Sequence, residues 1–164
     1  MYDVALLIER QLAALDADQV VALHEGLDEP VRYHLLLPVD TSASMLASSM
    51  SALGAGQVMT ISDADAIAEV QQELSSAGRA ELEASAALLR ERDQEVTATL
   101  TEDDPIAALT ELVTDTGAAE AIILTEPHVV REFLHLDWTS RAKRALDVPT
   151  LHLLEHVPFS AQAP

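Results

Sequence analysis

The chain of 164 residues contains no cysteine, which excludes disulfide frameworks, thiol nucleophiles and zinc–thiolate sites. Aromatic residues make up only 3% of it, so its core must be packed from Leu, Val, Ile and Ala rather than from rings. Positive charge is scarce as well: nine Lys and Arg stand against 28 Asp and Glu, a formal net charge of −19. Binding to a polyanion draws on Lys and Arg replacing condensed counterions, so neither nucleic acid nor a membrane surface is expected as a partner. Acidity does not exclude a small anionic ligand, because a few backbone amides outweigh distant screened charge. No stretch approaches the roughly 18 apolar residues of a membrane helix, and the acidic start at Met1–Arg10 does not read as a signal peptide, so a cytoplasmic location is expected. Glycine is rare too, at five residues, and none follows Gly117.

What is present is a globular composition, 49% apolar, in a length that suits one domain. Residues 3–27 carry apolar side chains at helical steps, from Val4, Leu7 and Ile8 to Val20, Leu23 and Leu27. Asp16-Ala17-Asp18 reads as a break between two helices, which makes residues 1–30 an N-terminal helical extension. Val31–Val39, with three consecutive leucines, reads as the first strand of a sheet covered on both faces. A short helix over Ser44–Leu53, a Gly54–Gly56 turn and a short strand at Val58–Ile61 follow.

A proline-free amphipathic helix fills the segment between Asp63 and Arg92, with Gly78 as its weak point. Glu95–Thr101 alternates as a strand, and Asp104-Pro105 opens a helix that Gly117 stops. Ala121–Leu124 is a buried strand, Asp137–Leu146 a helix and Thr150–Leu154 the last strand. Strands alternating with helices imply an α/β domain, a doubly wound five-stranded parallel sheet of Rossmann-like type with an extra N-terminal helical segment. Ligands on such sheets sit at the carboxyl ends of the strands, which picks out Asp40, Thr41, Ser42, Thr125 and His128.

Three runs carry a family likeness. Asp103–Leu109 followed by Gly117–Leu124 resembles the universal stress protein pattern of G-D-P, a helix and then G-A-D-L-I-V-M. Pro38-Val39-Asp40-Thr41-Ser42 is similar to that family's first strand ending in V-D-x-S, and Val148–Leu153 to its closing C-P-V-L-V-V. The resemblance spans residues 31–155 and implies a universal stress protein-like domain over residues 31–164, of the adenine nucleotide alpha hydrolase-like fold. In ATP-binding members the fourth strand leads into G-x2-G-x9-G-[S/T], whose glycines let backbone amides approach the phosphates. Here Thr125–Thr139 has no glycine; Thr125 and His128 take the first two glycine positions, Glu126 adds negative charge and Pro127 removes an amide donor. The resemblance therefore implies a divergent member that has lost the triphosphate mode.

Asp40 would lie beside the nucleotide by this likeness, and by its own chemistry it is equally a helix cap, as are Thr41 and Ser42. His128, Arg131, Glu132 and His135 read as polar side chains of a surface loop. No nucleophile elbow, Walker loop, zinc-protease helix or dinucleotide fingerprint occurs, so neither a catalytic residue, a metal site nor a cofactor is expected. The expected function is that of a non-enzymatic stress-response or regulatory protein. It would act as a homodimer through the last strand, with the N-terminal helices as a further contact surface. The alternatives are a small-molecule or AMP/ATP-like sensor with a remodelled pocket, and a nucleotide-handling or flavoprotein-like subunit.

Overall fold

A computed structural model of the chain describes residues 1–39, 64–127 and 132–162. Five strands form one sheet: β1 (Tyr2–Ile8), β2 (Val31–Pro38), β3 (Glu95–Thr101), β4 (Glu120–Thr125) and β5 (Thr150–Leu154). The helices are α1 (Ala14–Ala22), α2 (Ala64–Arg90), α3 (Pro105–Thr116), α4 (Glu132–Ala145) and α5 (Phe159–Gln162). The strands lie in the order β3-β2-β1-β4-β5, every pair parallel. The expected doubly wound five-stranded parallel sheet is therefore present.

One of its strands is not where the sequence reading put it. Residues 2–8 do not continue a helical extension; they form β1, the central strand, paired with β2 from Tyr2↔Val31 and with β4 from Val4↔Glu120. The run Val31–Pro38 is the second strand of the chain, and the run containing Asp40 follows it rather than the first. The cause is the lack of period in a strand buried on both faces. Val4, Ala5, Leu6, Leu7 and Ile8 are all 0% exposed, and a continuous apolar run contains helical spacings as readily as strand ones. Asp16 is likewise no break: it sits buried in the first turn of α1, where its carboxylate accepts from the Ala13 amide at 3.4 Å. The short helix and strand expected between residues 44 and 61 lie outside the described residues.

Alternate residues of the sheet feed two cores. Val4, Leu6, Ile8, Tyr33, Leu35 and Ile122 pack with α1 and α2 on one face. Ala5, Leu7, Leu36 and Ile123 pack with α3 and α4 on the other. Each fully buried Leu or Ile of these faces contributes about 2 kcal/mol. Gly78 does not interrupt α2; a Cβ there would stand 2.7 Å from Val39 Cγ2 and 3.1 Å from Leu100 Cδ1, so glycine sets how closely the helix approaches the ends of β2 and β3.

The α3 boundaries follow from local chemistry as read. Asp104 accepts from the Ile106 and Ala107 amides at 3.2 and 3.0 Å, and Gly117 closes the helix at φ 66°. α4 begins at Glu132, five residues before the expected start, so Glu132 opens a helix rather than lying in a loop. Residues 132–137 contain neither Gly nor Pro, and nothing in them opposes helix.

Candidate functional site

The strand order reverses between β1 and β4, because the chain lays β2 and β3 on one side of β1 and then returns to its other side. This is the switch point at which open α/β sheets form their ligand crevice. The register Ile8↔Leu124 brings Glu9 and Arg10 beside Thr125 and Glu126, and the Glu9 amide donates to Leu124 O at 3.3 Å. β5 ends alongside, with the Glu155 amide donating to Thr125 O at 2.8 Å.

A cluster of carboxylates occupies this junction. Arg10 forms an ion pair with Glu126, and its Nε donates to Glu155 Oε2 at 2.9 Å. The Glu126 amide donates to Glu9 Oε2 at 3.0 Å. Asp16 reaches in from α1 and accepts from the His156 amide at 2.7 Å. Glu155 is 1% exposed, and its Oε1 has no hydrogen-bond partner among the described residues. Burial pushes its carboxyl up to about 7 against the opposing pull of Arg10, with the charges of Asp16 and Glu9 adding to the rise.

Of the residues singled out from sequence, Thr125 lies in this region. It is buried at the end of β4, and its hydroxyl pairs with His152 Nε2 of β5 at 2.8 Å. Asp40, Thr41, Ser42 and His128 lie outside the described residues, as does Arg131. Of the side chains that do converge, Glu9, Arg10, Asp16, Glu126 and Glu155, the sequence assigned only Glu126 to the ligand end, and it marked Asp16 only as a break between helices. Recognising Tyr2–Ile8 as a strand would have placed Glu9 and Arg10 at a strand's carboxyl end. Among the described residues no group of three His, Cys, Asp or Glu is placed to hold a metal ion, and no helix is long and apolar enough to cross a membrane.

A second polar cluster lies at the amino ends of the strands. His24 Nε2 pairs with Glu120, and its Nδ1 lies 2.7 Å from the Tyr33 hydroxyl and 3.0 Å from Val20 O. The rings of Tyr2 and Tyr33 flank the imidazole at centroid distances of 5.9 and 5.5 Å. Burial first, and then the charge of Glu120, holds the Tyr33 phenol far above its usual range. A third buried histidine site is also satisfied: His34 meets Asp3 Oδ1 at 2.9 Å and Thr97 Oγ1 at 2.7 Å. A groove of about 320 Å³ between α3 and α4, lined by Asp104, Thr110, Arg141 and Arg144 among others, is remote from the switch point.

These features define an open, doubly wound α/β domain whose strand order switches between β1 and β4. Several of the solved structures it resembles are universal stress proteins, and the chain has their fold. A hypothetical protein whose biochemical function was assigned from its structure matches with a TM-score of 0.64 at 14% identity, over 94% of this chain and 97% of the other. A universal stress protein family member from Burkholderia pseudomallei matches at 0.56 and 13% identity, over 93% and 96% of the two chains. The universal stress protein from Archaeoglobus fulgidus in complex with dAMP matches at 0.54 and 10% identity, over 93% and 97%. Neither a family model nor a curated protein matches the sequence.

Proposed function

We propose that the chain is a universal stress protein-like, non-enzymatic regulatory protein that works as a homodimer and no longer takes a nucleotide triphosphate at the β1–β4 switch. The observation that carries this reading is the charge at that crevice. Glu9, Glu126 and Glu155 gather there, and the one guanidinium among them in the described residues, that of Arg10, is already shared by two of these carboxylates. A triphosphate would meet net negative charge in partly desolvated surroundings, where like charges repel more strongly than in water. Pro127 supplies no amide to offset it.

The expected outcome of calorimetric titration with ATP and Mg²⁺ is no binding in the micromolar range; micromolar affinity overturns the reading. Dimerisation through β5 is favoured by that strand's place at the edge of the sheet, where among the described residues it pairs only with β4. Light scattering at micromolar concentration checks it, and a stable monomer removes it.

The second reading is a sensor of a nucleoside monophosphate or similar small molecule. The dAMP held by the Archaeoglobus fulgidus protein of this fold favours it. A thermal-shift screen of nucleosides, nucleotides and small anions separates the two, because a specific ligand in excess raises the melting temperature and a flat screen leaves the first reading standing.

A further inference from the structure

The turn that follows β5 is held to the rest of the molecule by two ionisable contacts at adjacent residues. Glu155 Oε2 accepts from Arg10 at the end of β1, and the His156 amide donates to Asp16 of α1. His156 takes a left-handed conformation, φ 58°, to make its contact, a conformation that non-glycine residues hold only when their surroundings require it. Beyond the turn, α5 closes back on β5: Gln162 Oε1 accepts from the Leu154 amide at 2.7 Å, and Gln162 Nε2 donates to Leu154 O at 3.1 Å. The turn that joins the edge strand to the last helix is thus tied to β1 and α1 through one small ionic junction.

We infer that this junction is a proton-operated clasp on the edge strand, closed while the Glu155 carboxyl carries its proton and loosened when that carboxyl ionises. The charged and titratable groups around Glu155 come from each neighbouring element. They are Glu9 and Arg10 at the end of β1, Asp16 in the first turn of α1, Glu126 after β4 and His156 in the turn itself. On α2, Glu81 accepts from the Gln11 amide at 3.3 Å, and the Ser85 hydroxyl accepts from the Leu12 amide at 2.9 Å, closing the junction from that side. Among the described residues one guanidinium, Arg10, itself 47% exposed, is shared between Glu155 and Glu126.

Ionised, Glu155 places a second oxygen, with no donor among the described residues, where the side chain is only 1% exposed. Protonated, it keeps the Arg10 bond on Oε2 and buries only a neutral hydroxyl, which costs less than a bare charge. Because the folded-state value stands near 7, above the ordinary 4.5, the stabilisation is complete below about pH 4.5 and is lost as pH rises through 7. The clasp therefore opens across neutrality and exposes β5, the edge on which a partner strand would pair. It holds whether or not the crevice takes a nucleotide.

Hydrogen exchange read by mass spectrometry on the peptide covering residues 150–162, corrected for the intrinsic pH dependence of exchange, tests this on the full chain. Protection of that peptide is expected to fall on the order of tenfold between about pH 5.5 and pH 8.5 while residues 31–38 stay protected. In Glu155→Gln, which keeps the shape and cannot ionise, protection is expected to be flat over the same range. Flat protection in the wild type, or an unchanged fall in Glu155→Gln, overturns the clasp. Should that variant not fold, a carboxyl-carbon NMR titration of the wild type decides: a Glu155 midpoint above about 6 supports the clasp and one below it overturns it.

Discussion

The sheet carries a buried polar cluster at each end, and the two are built on opposite principles. At the amino end His24, Glu120, Tyr33 and the Val20 carbonyl pair off so that each nitrogen of the imidazole has a partner. At the carboxyl end Glu126 and Glu155 share Arg10 with Glu9 and Asp16 close by, and among the described residues one carboxylate oxygen is left with no donor. A satisfied network fixes a single packing, whereas an unbalanced one stores a charge-dependent cost. The amino end serves the fold; the carboxyl end, at the switch point of the sheet, is where the fold has been left responsive.

The comparison breaks most visibly at Arg10. Arg10→Ala leaves Glu155 and Glu126 without their cation, and unfolding in urea at about pH 8.5 is expected to show a loss of about 3 kcal/mol. At about pH 5.5 the loss is expected to be markedly smaller, because Glu155 is by then mostly protonated and has little charge to compensate. Equal losses at the two pH values would mean that the carboxyl end is as balanced as the amino end.

How each cluster could be read from sequence follows from what assembles it. Local chemistry was legible: Asp104-Pro105, Gly117, the alternating Glu95–Thr101 and the apolar strands β2, β4 and β5 all sit where the sequence put them. β1 was not, since a strand buried on both faces has no period to betray it. Missing it shifted the first strand by one and hid Glu9 and Arg10 from the site. Glu120, His24 and Tyr33 were invisible for another reason. Glu120 lies 96 residues from His24 and meets it and Tyr33 because β4 and β2 both flank β1. Thr125 was found because the rule for strand ends needs only one strand to be right.

At the amino end the largest expected effect is that of His24→Ala. It strips Glu120 and the Tyr33 hydroxyl of a partner and opens space between two rings, so a loss of about 2 to 3 kcal/mol in urea unfolding is expected. A double-mutant cycle with Glu120→Gln is expected to return a coupling of about 1 kcal/mol, the mark of a one-to-one pair. A coupling near zero would show that His24 contributes through packing alone and that the network is less tightly paired than its geometry indicates.

Tyr33→Phe is the gentlest test, and the one most specific to redundancy. The hydroxyl donates to Val20 O at 3.3 Å and lies 2.7 Å from His24 Nδ1, yet that same nitrogen is also 3.0 Å from Val20 O. Removing the hydroxyl leaves the imidazole and the carbonyl still able to bond each other, so no buried group is orphaned and the loss is expected to be only about 1 kcal/mol. The ring stays, and with it the edge-on contact at 5.5 Å. A loss above about 2 kcal/mol in urea unfolding would mean that the hydroxyl is indispensable to His24, so that the amino end, like the carboxyl end, hangs on a single group.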